Sequence, residues 1–124
     1  MRKVEIPQEK KKQEQKEDVI LEKGSTQLDK LAYAVAMQET KDCTLGWGLL
    51  YNNCMGVKKY RGGKLQPARY DSKTDAYIDF KNIWNRLYGS EIPTMKDAIK
   101  WSGNDRAEDW HKNVLWFIEN AKTT

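Results

Sequence analysis

Apolar residues recur at helical spacing in four stretches of the chain and thin out between them. In the first, Leu28, Leu31, Ala32 and Val35 fall three or four apart, which makes one apolar, buried helix face. Thr26 and Asp29 form a T-x-x-D capping box in front of it, and Glu39 ends the stripe. In the second, Ser72 and Asp75 make another box ahead of Ala76, Ile78, Phe80, Ile83, Trp84, Leu87 and Tyr88. That helix is expected to stop near Gly89, which can take the left-handed conformation at a helix end. Thr94 with Asp97 opens a third, short helix through Met95, Ala98, Ile99 and Trp101, broken at Trp101-Ser102-Gly103. Asn104 or Asp105 is then expected to cap a last helix with Trp110, Val114, Phe117 and Ile118 inward. Trp101, Trp110 and Trp116 read as core rather than as sugar platforms.

Between the first two helices the period is lost. Cys43 and Cys54 bracket Gly46, Gly48, Asn52 and Asn53, a composition that reads as a loop. Val57 and Lys59 with Leu65 flank a Gly62-Gly63 turn as a short two-stranded flap. Pro67 argues against a long second strand. The expected fold is mainly α, an α+β helical domain with one small β-hairpin.

Composition divides the 124 residues in two. Residues 1–24 carry seven basic and six acidic side chains and no aromatic. Such a segment buries too little to offset its ordering entropy, so it reads as a charged flexible arm or linker. Residues 25–124 form the globular domain, with room for one core. A net charge of +4 and a pI of about 9.0 suit an anionic partner. Lys58, Lys59, Arg61, Lys64 and Arg69 cluster with Tyr60 and Tyr70 interleaved; a solvated loop with snorkelling side chains is the competing reading. No run of apolar residues is long enough to span a membrane, and Met1-Arg2-Lys3 is not followed by the apolar stretch of a signal peptide. Cys43 and Cys54 either close a disulfide, worth about 2–3 kcal/mol in an oxidising compartment, or stay as buried thiols. With His111 the lone histidine and no C-x-x-C, no metal site or other cofactor is expected.

These residues also narrow the chemistry. Phosphate-cradling and dinucleotide-binding loops are absent. His111 sits in a tryptophan-rich stretch with no nucleophile motif. No helix shows the exposed Arg/Asn/Gln face that base reading requires, so no nucleic-acid partner is expected. Carboxylate chemistry is left. Glu39, at the end of a buried stripe, is either a desolvated general acid or a side chain that clears the core into water. Glycoside cleavage needs such a donor beside the leaving oxygen. A second carboxylate is scarce: no acid occurs between Asp42 and Asp71.

Three segments occur in an order that carries a likeness. Ala36-Met37-Gln38-Glu39-Thr40, then Asn52-Asn53-Cys54-Met55-Gly56-Val57-Lys58, then Arg69-Tyr70-Asp71-Ser72 with Ala76, Tyr77, Asp79 and Phe80 resemble A-x-x-E-[ST], N-N-x-F-G-[IV]-K and R-x-Y-x-S-x-x-x-[AS]-[FY]-x-D-[FY]. These are segments of the lysozyme-like peptidoglycan hydrolases, nearest the bacterial endo-β-N-acetylglucosaminidase (autolysin and flagellar muramidase-like) group, with the lytic transglycosylases as neighbours. The resemblance covers about residues 28–120. It implies a lysozyme-like fold with the hairpin beside a substrate cleft, and a monomer cleaving β-1,4 bonds in peptidoglycan glycan strands outside the cytoplasm.

The resemblance places the catalytic acid at Glu39, a tyrosine near the scissile bond at Tyr70, and Asn52, Asn53 and Gly56 at the cleft floor. Tyr51 and Lys58 flank that segment as further substrate contacts, and Asp71 is the candidate second carboxylate. Cys54-Met55 replaces the usual apolar-aromatic pair, which fits a disulfide with Cys43. The acid-free hairpin leans toward the single-acid mechanism of lytic transglycosylases. Ser102-Gly103-Asn104-Asp105-Arg106 resembles part of the same group's C-terminal subdomain, with Arg106 a buried or cleft-edge charge. The alternative is a catalytically weak glycan-binding or structural module of a cell-wall-penetrating apparatus.

Overall fold

Thr26 starts the central helix as its spacing predicts. Its hydroxyl accepts from the Asp29 amide, while the Asp29 carboxylate accepts from the Thr26 amide, closing the capping box. The computed structural model describes residues 19–21 and 25–123. The helix, α1, runs Gln27–Thr40 and buries Leu31, Ala32, Ala34, Val35, Ala36, Gln38 and Thr40. That face is broader than a surface helix needs, because α1 is packed by helices on several sides. Burying a side chain such as Leu31 or Val35 stabilises by about 1.5–3 kcal/mol.

Three further helices follow: α3 (Lys73–Leu87), the short α4 (Met95–Ser102) and α5 (Ala107–Glu119). Helices α3 and α5 pack on α1, and α4 packs on α5. Ser72 caps α3 by accepting from the Asp75 amide, but the return bond from the Asp75 side chain that the expected box needs is not made, whereas Thr94 with Asp97 closes a full capping box on α4. Gly89, at φ +81°, ends α3 with its amide on the Trp84 carbonyl. The largest buried side chains are Trp84, Trp110, Phe80, Leu31 and Met55. Trp84 stacks on Tyr88 (4.0 Å), Trp101 meets Phe80 edge-on (5.4 Å), and the Trp84 indole donates to the Ser90 carbonyl (2.6 Å).

The hairpin forms as expected, with β2 (Lys58–Arg61) antiparallel to β3 (Lys64–Pro67) around Gly62-Gly63, and Pro67 ending the second strand. A second small sheet pairs β1 (Val19–Leu21) in parallel with β4 (Ala121–Thr123). These three residues of β1 lie within the segment read as an arm; the rest of that reading concerns residues outside the described ones. Among the described residues no helix is long and apolar enough to cross a membrane.

Four sequence expectations are corrected. The Cys-bounded loop contains a helix, α2 (Gly46–Tyr51), which the glycines concealed. A methyl group at Gly48 would lie 2.7 Å from both the Cys43 Cα and the Thr40 Cβ, so glycine is required by close approach rather than by a turn. Helix α5 is not capped by Asn104 or Asp105. Arg106 takes that position without a side-chain bond, and Glu108 and Asp109 in the first turn complement the helix dipole instead. Ile78 lies outside the core, half exposed, because it sits about 200° round α3 from Ala76. Leu87 is also half exposed, on the rim of a cleft.

Candidate functional site

A cleft of about 440 Å³ opens where α1 ends. One wall carries Leu45, Gly46 and Trp47 at the start of α2, with Gly56, Val57, Lys58 and Leu65 from the hairpin side. The other carries Ile83, Leu87 and Tyr88 from the end of α3, then Trp101, Ser102 and Arg106. Glu39 and Thr40 lie between them. Among the described residues Glu39 is the sole acidic side chain lining this cleft.

Glu39 is held from the core side. The Trp110 indole, buried on α5, donates from Nε1 to Oε2 at 2.9 Å. Oε1 faces Gly56, where a Cβ would sit 3.5 Å from it. Gly56 has φ +73°, a conformation only glycine adopts without strain. Gly56→Ala is therefore expected to destabilise the fold by about 1–2 kcal/mol and to cover Oε1 with a methyl group. Thermal unfolding and turnover measured side by side should both fall.

The turn after Glu39 is tightly specified. Lys41, Asp42 and Cys43 all have positive φ (53°, 56° and 71°). Thr40 Oγ1 donates to the Cys54 carbonyl (2.7 Å) and accepts from the Cys43 amide (2.8 Å). Cys43 is disulfide-bonded to Cys54, with Cα atoms 4.4 Å apart. Asp42 accepts from Tyr77 (2.6 Å) and pairs with Lys73 (2.7 Å), which accounts for its carboxylate away from the cleft.

Three of the expected site residues, Glu39, Gly56 and Lys58, meet in the cleft. The others do not line it. Asn53 is fully buried, with its amide donating to the Val57 carbonyl and accepting from the Val57 amide. It shapes the Gly56 turn without reaching the surface. Asn52 donates to the Tyr70 carbonyl, Tyr51 accepts the Tyr70 amide, and the Tyr51 ring lies under Arg69 (4.8 Å). Tyr70 donates its hydroxyl to Asp79 (2.6 Å), and burial followed by that carboxylate pushes its phenol well above the ordinary tyrosine value. Asp71 is exposed and off the cleft. His111 engages the Pro93 carbonyl through Nε2 (2.8 Å).

Asp79 also pairs with Lys59 (2.8 Å), so it ties both Tyr70 and the hairpin to α3. Burial raises its carboxyl, but the Lys59 and Tyr70 hydrogen bonds and the Lys59 and Arg86 charges outweigh this and hold it below the usual range. A depressed folded value means stability present above the unfolded value and lost as pH falls through the folded one. The Asp79 contribution is thus expected to be complete above roughly pH 5 and to fade below roughly pH 4. Acid denaturation of Asp79→Asn should show a shallower loss over that window than wild type.

Trp47, Tyr88 and Leu65 were not legible as cleft residues, and Trp101, read as core rather than as a sugar platform, both packs on the core and lines the cleft. Their only sequence signals were the Gly-Trp-Gly run and the helix break after Trp101. Arg106 proves to be an exposed cleft-edge charge. The cleft thus offers aromatic and apolar walls, two cations and one oriented carboxyl. Such a lining suits a ligand with apolar faces and a proton-accepting oxygen. Comparison of the chain with protein-family models, curated proteins and solved structures finds no match.

Proposed function

We propose that the chain cleaves β-1,4 glycosidic bonds in peptidoglycan glycan strands, with Glu39 as general acid and base. The observation that carries this reading is the one carboxyl that lines the cleft among the described residues, oriented by Trp110 and with Gly56 against its Oε1. The lysozyme-like motifs around Glu39 and Gly56 support it. Trp47 and Trp101 bring indole surface to the cleft against which sugar rings can pack.

A single carboxyl favours a mechanism in which the substrate supplies the nucleophile. The Glu39 proton passes to the glycosidic oxygen as its bond to C1 breaks. The carboxylate then takes the proton of the muramyl 6-hydroxyl as that oxygen bonds C1, giving a 1,6-anhydro end. The disulfide supports an extracytoplasmic location. Release of soluble fragments from purified peptidoglycan by wild type, and not by Glu39→Gln, is the expected result.

The second reading is a glycan-binding or structural module with little catalysis. It is favoured by the engagement of Tyr70 with Asp79 and the position of Asp71 off the cleft. Sedimentation of both proteins with peptidoglycan, with no fragments from either, would establish it.

A further inference from the structure

Between Cys43 and Tyr70 the chain has five basic residues, Lys58, Lys59, Arg61, Lys64 and Arg69, and no acidic one. Among the described residues only Lys59 of these forms an ion pair, with Asp79. Every residue of β2 is exposed, and Tyr60 is 74% exposed, so core packing does not select this composition. Pairing opposes it. Arg61 lies directly across the ladder from Lys64, and like charges so placed weaken a hairpin. Arg61 is held by Gln66, through Nη2 to Oε1 (3.3 Å) and through its carbonyl to Nε2 (3.2 Å), rather than by an acid. Lys58 lies over the Trp47 ring (6.0 Å) and Arg69 over Tyr51.

The patch is fixed in place and continuous with the cleft. Lys59 and Tyr70 anchor it on Asp79, and Lys58 and Leu65 belong to both hairpin and cleft. Inside the cleft Glu39 stands with Lys58 and Arg106, whereas outside it Arg61, Lys64 and Arg69 have no ion-pair partner among the described residues. A ligand seated in the cleft and negatively charged along its flank meets those cations.

We propose that the β2–β3 hairpin and Arg69 form a docking surface for the anionic groups of the polysaccharide strand whose glycan backbone lies in the cleft. This rests on the glycan reading of the cleft. The anions are the carboxylates that the strand itself carries, which guanidinium and ammonium groups bind and which need no second polymer. A nucleic acid has the charge but not the glycan backbone.

The test compares binding of wild type and the double variant Arg61→Gln/Lys64→Gln to three preparations of insoluble peptidoglycan. One is intact, one is acid-extracted to remove phosphodiester-linked polymers, and one has its carboxylates amidated. Amidation is expected to lower wild-type binding about 10- to 30-fold, and acid extraction to leave it unchanged. The double variant should bind the intact wall that weakly and ignore amidation. Its melting temperature should match or exceed that of wild type, since a like-charge pair is removed. Wild-type binding that is indifferent to amidation, or that falls on acid extraction instead, overturns the proposal, as does a double variant that binds like wild type. So does tighter charge-dependent binding to duplex DNA than to the intact wall. Glu39→Gln, run in parallel, separates the two claims. Its digestion reports on the catalytic reading, while the charge arms report on docking alone.

Discussion

Glu39→Gln is expected to slow glycan cleavage by about 10²–10⁴-fold, the usual worth of a positioned proton donor, with little change in melting temperature. Glutamine has the same length and shape and keeps an oxygen for the Trp110 indole, so the core side of the site is preserved. What it lacks is the proton for the leaving oxygen and the carboxylate that takes one back. Initial rates of fragment release, paired with thermal unfolding, separate this loss from misfolding. A variant within about threefold of wild type, far short of the loss expected for a proton donor, would remove Glu39 from the mechanism.

Removing the disulfide with Cys43→Ser/Cys54→Ser is expected to destabilise the domain by about 3 kcal/mol, the chain-entropy value for so short a loop. For a domain of this size that is a fall of roughly 12–24 °C in melting temperature. The bond closes a turn in which Lys41, Asp42 and Cys43 are all left-handed, each at about 1 kcal/mol or more. The Tyr77 and Lys73 contacts to Asp42 hold the same turn, and the Thr40 hydroxyl bridges the Cys43 amide to the Cys54 carbonyl, yet only the disulfide joins the two ends of the loop covalently. Because Glu39 immediately precedes this turn, cleavage is expected to drop even at temperatures where the variant stays folded. Melting within about 2 °C of wild type would mean that the other contacts suffice, since even 1 kcal/mol moves the midpoint by several degrees.

What was legible in the sequence was local. The Thr26 and Thr94 capping boxes, the Ser72 cap, the Gly89 stop and the Gly62-Gly63 turn each depend on residues a few positions apart, and each is found where the spacing puts it. Helix α2 was not legible, because Gly46 and Gly48 have low helix propensity and Gly48 is there for its contact with Thr40 and Cys43. Of the site, Glu39, Gly56 and Lys58 were placed together by the resemblance alone, and they meet in the cleft where the chain turns back through the disulfide-closed loop. Trp110 read simply as core, yet it also orients Glu39 from 71 residues away, and neither period nor motif carries such a contact. The same limit applies to Tyr70. Its partner Asp79 turns the hydroxyl toward α3, a choice made by burial and charge after the chain has folded.

In the proposed mechanism one carboxyl, Glu39, cleaves the strand with a nucleophile drawn from the substrate. The most direct measurement is mass spectrometry of the products from purified peptidoglycan digested by wild type and by Glu39→Gln. Wild type is expected to give 1,6-anhydro ends and the variant none. Reducing ends from wild type would overturn this mechanism, because they call for a water-activating second carboxylate and the described residues place none in the cleft.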